Sequence, residues 1–507
     1  MSDQSANNKR IAKNTLLLYF RMLLTMAISL YTSRVVLDVL GETDFGIYNV
    51  VGGFVSMFAV ISGAMTTATQ RFLSFEIGKK DGNVKTMFST AVMIHLLLAT
   101  IVLVLGETIG IWFLNSYMNF PSDKYVAANW VFQFSLFTFI INIISVPYNA
   151  AIVAYEHMKA FAYVSIIEVV LKLLIVYLLM ISPIDKLIFY AALLALMAIF
   201  IRVIYGIYCN KHFNECRCNL KWNRTYGKNM FSFVSWNLIG SVAGVAKEQG
   251  INVLLNIFFG ATVNAARAVA YQVLHAMSGF VSNFQLAMNP QIVKSYAANK
   301  REEMFKLVFR GSRLSFLMIM TLAIPVIIEA PFILNIWLKE VPDYTVIFLR
   351  LVLLTSIVDS LSGTLIASMH ASGKVRDYQI AVGGISLLTL PIAYIALRMN
   401  FPAYSAMIVG LAIAVICHFA RLLLLKKSIE LPVMSFIKKV TLRVSLICIL
   451  AIIPPLTIYY SLPTNWLNFI LIVFVSFCSS IIFAYSIGLD REEKFFIMNK
   501  IRKLINK

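Results

Sequence analysis

Charge is scarce in this sequence. Of 507 residues, 13% are Asp, Glu, Lys or Arg and 60% are hydrophobic, and the mean hydropathy is +0.80. Soluble domains carry about 25% charged residues, so a chain this poor in charge reads as a polytopic membrane protein. Acidic residues are scarcer still: 24 stand against 44 Lys and Arg, a formal net charge of +20. In a soluble chain that excess would suggest nucleic acid. Here the bases lie between apolar runs, so membrane topology and anionic lipid account for them, and no nucleic-acid partner is expected. Cysteine is sparse too. The six residues Cys209, Cys216, Cys218, Cys417, Cys448 and Cys478 form no secreted disulfide framework. The spacing of Cys209, His212, Cys216 and Cys218 fits no common zinc module, so no metal site is expected. A phosphate-cradling glycine loop is missing, which argues against intrinsic ATP hydrolysis. No Ser/His/Asp arrangement in a soluble setting suggests hydrolysis either, and neither a cofactor nor an enzyme activity is expected. The polar residues Met1 to Arg10 are not followed by a short apolar region with a small-residue cleavage site, so the first span reads as an anchor.

What is present is a succession of apolar runs. A helix needs ~20 apolar residues to cross a bilayer. About fourteen runs qualify: 15–40, 45–70, 88–114, 125–150, 160–182, 186–208, 229–259, 262–290, 307–337, 344–370, 377–398, 402–425, 436–460 and 464–488. No long soluble stretch separates them, which leaves no room for a separate catalytic domain. The fold expected is all-α, a polytopic bundle of about fourteen transmembrane helices. The connecting loops alternate between a basic set (with Lys79, Lys80, Lys211, Arg217, Lys300, Arg301, Lys426 and Lys427) and a short, nearly neutral set. The bias of Lys and Arg toward the cytoplasm puts the basic loops and both termini there.

A faint internal repeat organises the spans. Gly53 to Phe58 (GFVSMF) and Gly279 to Phe284 (GFVSNF) agree at five of six positions, each in the second helix of a pair and each followed by a basic loop. Two six-helix bundles of the same orientation would be parallel repeats. The expected division is a six-helix lobe at 1–208, a cytoplasmic inter-lobe loop at 209–228, a second six-helix lobe at 229–425, two additional helices at 426–488 and a basic tail at 489–507. In that tail Ile497, Ile501, Leu504 and Ile505 share one helical face, suited to a membrane surface.

Charges inside the spans are costly unless paired or wetted. Lys247 and Glu248 fall near the middle of their span and about 100° apart around the helix, so they cannot simply pair. Glu168 and Lys172 lie at i,i+4 and can. Asp359, Arg21, Arg34 and Arg267 complete the set. Two readings stand side by side. In one, Lys247, Arg267, Arg34 and Arg21 line a cationic cavity for a phosphate or pyrophosphate, with Glu168, Lys172, Glu248 and Asp359 as ion-coupling groups or cavity ion pairs. In the other, the arginines snorkel to headgroups, Glu168–Lys172 is structural, and the carboxyls are protonated or hydrogen-bonded. His95, His275 and His418 are scattered over three spans, where satisfied polar residues and proton relays both occur. Pro147, Pro290, Pro325, Pro391 and Pro454-Pro455 interrupt spans, and Gly240 and Gly244 allow close helix contact, as bundles that flex between two states require.

Several segments resemble the Wzx-like polysaccharide and O-antigen flippases of the multidrug/oligosaccharidyl-lipid/polysaccharide exporter superfamily: Tyr31 to Gly41 (YTSRVVLDVLG), Asp44 to Gly53, Thr69 to Ser74, Asn264 to Val273 and Met288 to Tyr296. The likeness is strongest to the branch described as lipopolysaccharide biosynthesis proteins. It implies two six-helix lobes in a V. It implies movement of undecaprenyl-pyrophosphate-linked oligosaccharide from the cytoplasmic to the outer leaflet by alternating access, with H⁺ or Na⁺ and the polymerase machinery as further partners. Arg34 and Arg267 match by position the cavity arginines of related lipid flippases. A cation-coupled multidrug exporter of the same superfamily is the second expectation, but its acidic cavity is not what these residues offer. A membrane-embedded glycan polymerase or ligase is the third, and the longest outer loop, 115–124, is short for that chemistry.

Overall fold

Backbone groups in hydrocarbon have no water to bond, and a helix satisfies them within its own segment. The computed structural model has helices and no strands among the described residues. Those residues are 2–56, 59–117, 122–182, 185–217, 221–338, 341–463, 465–490 and 493–494, with the backbone alone for parts of 2–60 and for 117, 122, 261, 262 and 265. The amphipathic face expected at 497–505, Cys218, residues 57–58 of the repeat and the side chain of Arg34 lie outside that description. The chain divides into two compact units, Met1–Leu238 with Val293–Asn299, and Ile239–Ile292 with Lys300–Lys507.

The first unit begins with α1 (Ser2–Ser56), which is broken at Gly41. There φ is +76°, a conformation that Gly adopts without the strain a side chain brings. The break separates the runs expected at 15–40 and 45–70, and the second continues into α2 (Ala59–Gly78). Next come α3 (Val84–Leu105), a π-turn at 106–110, α4 (Ile111–Tyr117), α5 (Tyr125–Ala154), α6 (Met158–Ile181) and α7 (Lys186–His212). α5 packs along α7, α2 and α3, and α1 along α6. Val131, Phe132, Leu136, Ile143 and Leu187 form part of its buried core. Lys124, at the start of α5, pairs with Asp44 at 2.7 Å. Near the basic loops, the buried Glu76 carboxylate accepts from Lys79 Nζ, the Asn83 amide and the Tyr226 hydroxyl at 2.9–3.0 Å. Glu156 similarly pairs with Lys294 at 2.5 Å.

α8 (Arg224–Phe259) and α9 (Ala261–Ala297) each contribute residues to both units and are joined at Gly260, where φ is +81°. The second unit continues with α10 (Arg301–Ile328), α11 (Ala330–Trp337), α12 (Thr345–Ser360), α13 (Gly363–Ser372), α14 (Arg376–Leu387), α15 (Thr389–Arg398), α16 (Ser405–Ile429), α17 (Val433–Phe436), α18 (Leu442–Ser461) and α19 (Trp466–Phe483). The expected runs fall on these helices, but several are broken. α12 and α13 meet at 41°. The carbonyls freed where α10 ends accept from Arg350, Nε to Ile327 at 2.9 Å and Nη2 to Ile328 at 3.4 Å. Among the described residues nine helices are long and apolar enough to cross a membrane, ten if α12 and α13 count as one. α8 and α9 are not among them, because their Asn, Gln, Lys, Glu and Arg dilute the apolar run.

Three arginines close the end of the second unit. Arg310 and Arg313 of α10 reach Glu493 at 2.8 and 2.7 Å, and Arg313 and Arg443 of α18 reach Asp490 at 2.9 and 2.7 Å. Glu493 also accepts the Asp490 amide at 2.8 Å. The segment after α19 is thereby tied to α18 and, across 177 and 180 residues of sequence, to α10.

Candidate functional site

In the first unit the structure joins residues that sequence spacing left separate. Arg21 of α1 lies against α6, with Nη1 donating to Ser165 Oγ at 3.3 Å and its guanidinium 4.7 Å from the centre of the Phe161 ring. One turn further along α6, Glu168 is within electrostatic reach of Arg21 and pairs with Lys172 at 2.8 Å. Tyr205 of α7 faces the same group and accepts from Asn149 of α5 at 3.4 Å. The result is a half-buried polar patch with two cations to one carboxylate.

In the second unit, Lys247 and Glu248 are both half-buried on α8. Neither makes a hydrogen bond or an ion pair among the described residues. Gly240, two turns earlier, lets the Gln379 amide of α14 occupy the space a Cβ would take, which brings α14 onto α8. Lys247 is close enough to act electrostatically on Cys417 of α16. One turn beyond Cys417 is Arg421, a mostly buried guanidinium that sequence reasoning missed. It donates from Nε to the Tyr378 hydroxyl at 3.1 Å and from Nη1 to Ser362 Oγ at 2.7 Å. Its contact with Asp359 is looser, 3.8 Å, and the Asp359 side chain stays 49% exposed. The signal for Arg421 was its place inside the run 402–425, four residues short of the end.

Arg267 is set apart from this group. It is 4% exposed, donates to Asn252 Oδ1, and lies 4.2 Å from the centre of the Tyr271 ring. Asn252 in turn donates to Gln249 at 3.2 Å. Arg267→Ala strands Asn252 and empties the space beside Tyr271, so it is expected to lower stability by about 1–3 kcal/mol, read as a fall in Tm of the purified protein. Arg267→Lys, which keeps charge without the planar fork, is expected to recover only part of that loss. The histidines stay scattered: His95 bonds the Ala91 carbonyl at 2.8 Å, His275 lies near Tyr271, and His418 meets Thr441 at 3.4 Å. Among the described residues no three His, Cys, Asp or Glu side chains are placed to hold a metal ion.

Residues 11–296 match the family described as polysaccharide biosynthesis protein, more than half of the chain. The chain belongs to the polysaccharide biosynthesis protein family. The match takes in Arg21, Glu168, Lys172, Lys247 and Arg267 of this family member and stops short of Asp359 and Arg421. No curated protein matches it in sequence. Solved structures match it in fold. An outward-facing multidrug resistance MATE family transporter of the MOP superfamily is 12% identical with a TM-score of 0.71, over 85% of this chain and 96% of that one. The Vibrio cholerae MATE transporter VcmN in its bent form is 15% identical with a TM-score of 0.69, over 86% of this chain and 99% of that one. A MOP superfamily transporter from Pyrococcus furiosus, described as having a binding pocket of reverse polarity, is 11% identical with a TM-score of 0.67, over 84% of this chain and 96% of that one. This member of the polysaccharide biosynthesis family is thus a multi-pass membrane protein with the fold of MOP-superfamily transporters.

Proposed function

We propose that this protein is a flippase that carries undecaprenyl-pyrophosphate-linked oligosaccharide, a unit of O-antigen, capsule or exopolysaccharide, from the cytoplasmic to the outer leaflet of the bacterial inner membrane. The observation that carries the reading is Lys247: a half-buried base near the middle of the 36-residue α8, with no hydrogen bond or ion pair among the described residues. A half-buried ammonium without a partner is costly within a membrane, and an anionic substrate removes that cost. Arg421 stands near it with a loosely held carboxylate, Asp359. A pyrophosphate competes with that carboxylate for the guanidinium, and protonation of Asp359 tips the competition toward the substrate. That exchange is a route by which H⁺ couples to transport, with Glu248 and the Glu168–Lys172 pair as further coupling groups. Arg21, Arg34 and Arg267 are further candidate bases in this reading. Membership of the polysaccharide biosynthesis family supports the glycan, and the transporter fold supports alternating access. Both termini and the basic loops face the cytoplasm in this reading.

The test is transfer by the purified full chain in proteoliposomes with an imposed proton gradient. Lipid-linked oligosaccharide supplied on one side is expected to become accessible to a membrane-impermeant lectin on the other. Gradient-driven export of ethidium without glycolipid transfer would instead establish the multidrug reading.

A further inference from the structure

The first unit contains a crevice of about 180 Å³ whose described lining is uncharged, apolar over most of its surface and set with the polar side chains of Tyr48, Ser135, Thr138 and Asn142. Ser135, Thr138, Phe139 and Asn142 form one wall, at i, i+3, i+4 and i+7 on a single face of α5. Tyr48 and Gly52 of α1 and Ala191 and Leu194 of α7 form the others. Ser135 and Asn142 are the eleventh and eighteenth residues of the 30-residue α5, so the crevice lies in its middle third. At about 1.5 Å of rise per residue, that is deep within a spanning helix.

Polar side chains at that depth need partners. Thr138 donates to the Phe134 carbonyl at 2.7 Å, which leaves its oxygen able only to accept. The Tyr48 hydroxyl is hydrogen-bonded to Tyr190, the two rings meeting edge to face at 5.0 Å. Ser135 and the exposed Asn142 amide make no hydrogen bond among the described residues, so each can both donate and accept.

The chemistry of the lining selects its occupant. A cation would require a carboxylate and an anion a base, and no lining residue among those described is either. A hydrocarbon chain would leave the Ser135 hydroxyl and the Asn142 amide unpaired. A neutral polyhydroxylated ring meets all of them: its hydroxyls match groups that donate and accept, and its C–H face suits the rings of Tyr48 and Phe139. We infer that this crevice is a subsite for one neutral sugar ring of the transported glycan. The inference rests on the flippase reading above and adds to it that a sugar is held by α1, α5 and α7 of the first unit.

Gly52 gives a direct test. A Cβ built there meets nothing within 4 Å, so Gly52→Leu fills the crevice without a backbone clash. The probes are lipid-linked oligosaccharide extracted from cells that make this protein and synthetic undecaprenyl pyrophosphate without sugar. Each is bound by the full chain in nanodiscs. Gly52→Leu and Asn142→Ala are each expected to raise Kd for the glycolipid about tenfold, the scale of one or two lost hydrogen bonds, and to leave Kd for the bare lipid unchanged. Wild-type affinity for the glycolipid in both variants would overturn the subsite while the flippase reading stands. Failure of the wild type to bind either lipid would overturn both. Should Gly52→Leu fail to fold, Asn142→Ala decides alone, because its side chain is exposed and makes no hydrogen bond among the described residues.

Discussion

Lys247→Ala is expected to slow glycolipid transfer by ten- to a hundredfold and to leave the protein folded. The size follows from the loss of one charge-assisted hydrogen bond, about 1.5–3 kcal/mol, at roughly 1.4 kcal/mol per tenfold in rate. The preserved stability follows from the absence of any hydrogen bond or ion pair to Lys247 among the described residues, so its removal strands no other group. Lys247→Arg is expected to keep most of the activity, since either base can meet a pyrophosphate oxygen. Initial transfer rates in proteoliposomes, read beside Tm, check both. Wild-type transfer by folded Lys247→Ala would remove Lys247 from the site. The pattern separates it from Arg267, whose loss is expected to show first in Tm.

Arg313→Ala is expected to cause the larger loss of stability, about 3–5 kcal/mol. Both partners are shielded: the Arg313 side chain is 4% exposed and that of Glu493 8%. Removing one member of a buried ion pair leaves the other charge uncompensated, the costly case. Arg310 still reaches Glu493, which places the effect at the lower end. Thermal unfolding together with protease cleavage of the segment after Gly488 reads the result, and an unchanged Tm would show that this junction does not hold the second unit together. The same cluster sets an acid dependence. Burial disfavours the Asp490 carboxylate, but hydrogen bonds and charge from Arg443 and Arg313 outweigh that and hold its pKa below the ordinary carboxylate value. A depressed folded pKa means that the stabilisation is fully present above the unfolded value, ~3.9, and is lost as pH falls through the folded one. Arg443→Ala is expected to flatten that acid limb of the stability profile.

The helices were legible because their signal is local. Apolar run length marks the spans, and Gly260 marks the turn between α8 and α9 with its positive φ. That α8 and α9 are poor partners for lipid was equally plain from their composition. The breaks were less visible. The turn between α12 and α13 lies in an apolar run without a proline, where Ser362 accepts from Arg421 and Gly363 packs against Gln285. Long-range pairing was not legible at all. Arg313 and Glu493 are 180 residues apart, and nothing in either neighbourhood names the other. Arg421 sits close enough to Lys426 and Lys427 to pass for one more base at a helix end. Only the fold turns it inward to Tyr378. Arg21 and Glu168 met for a similar reason, through the packing of α1 along α6, which no periodicity encodes.

The π-turns at 106–110, 437–441 and 484–488 have a consequence for how relatives are aligned. A π-turn carries one residue more than the α-turn it replaces, so each marks a single-residue insertion inside a membrane helix. Against a relative whose helix is unbroken, the gap belongs there, in the middle of an apolar run. If it is placed in the neighbouring loop instead, every position beyond it slips by about 100° around the helix. Leu446, which lies exposed on α18, would then be scored against the column of Ile447, which lies buried.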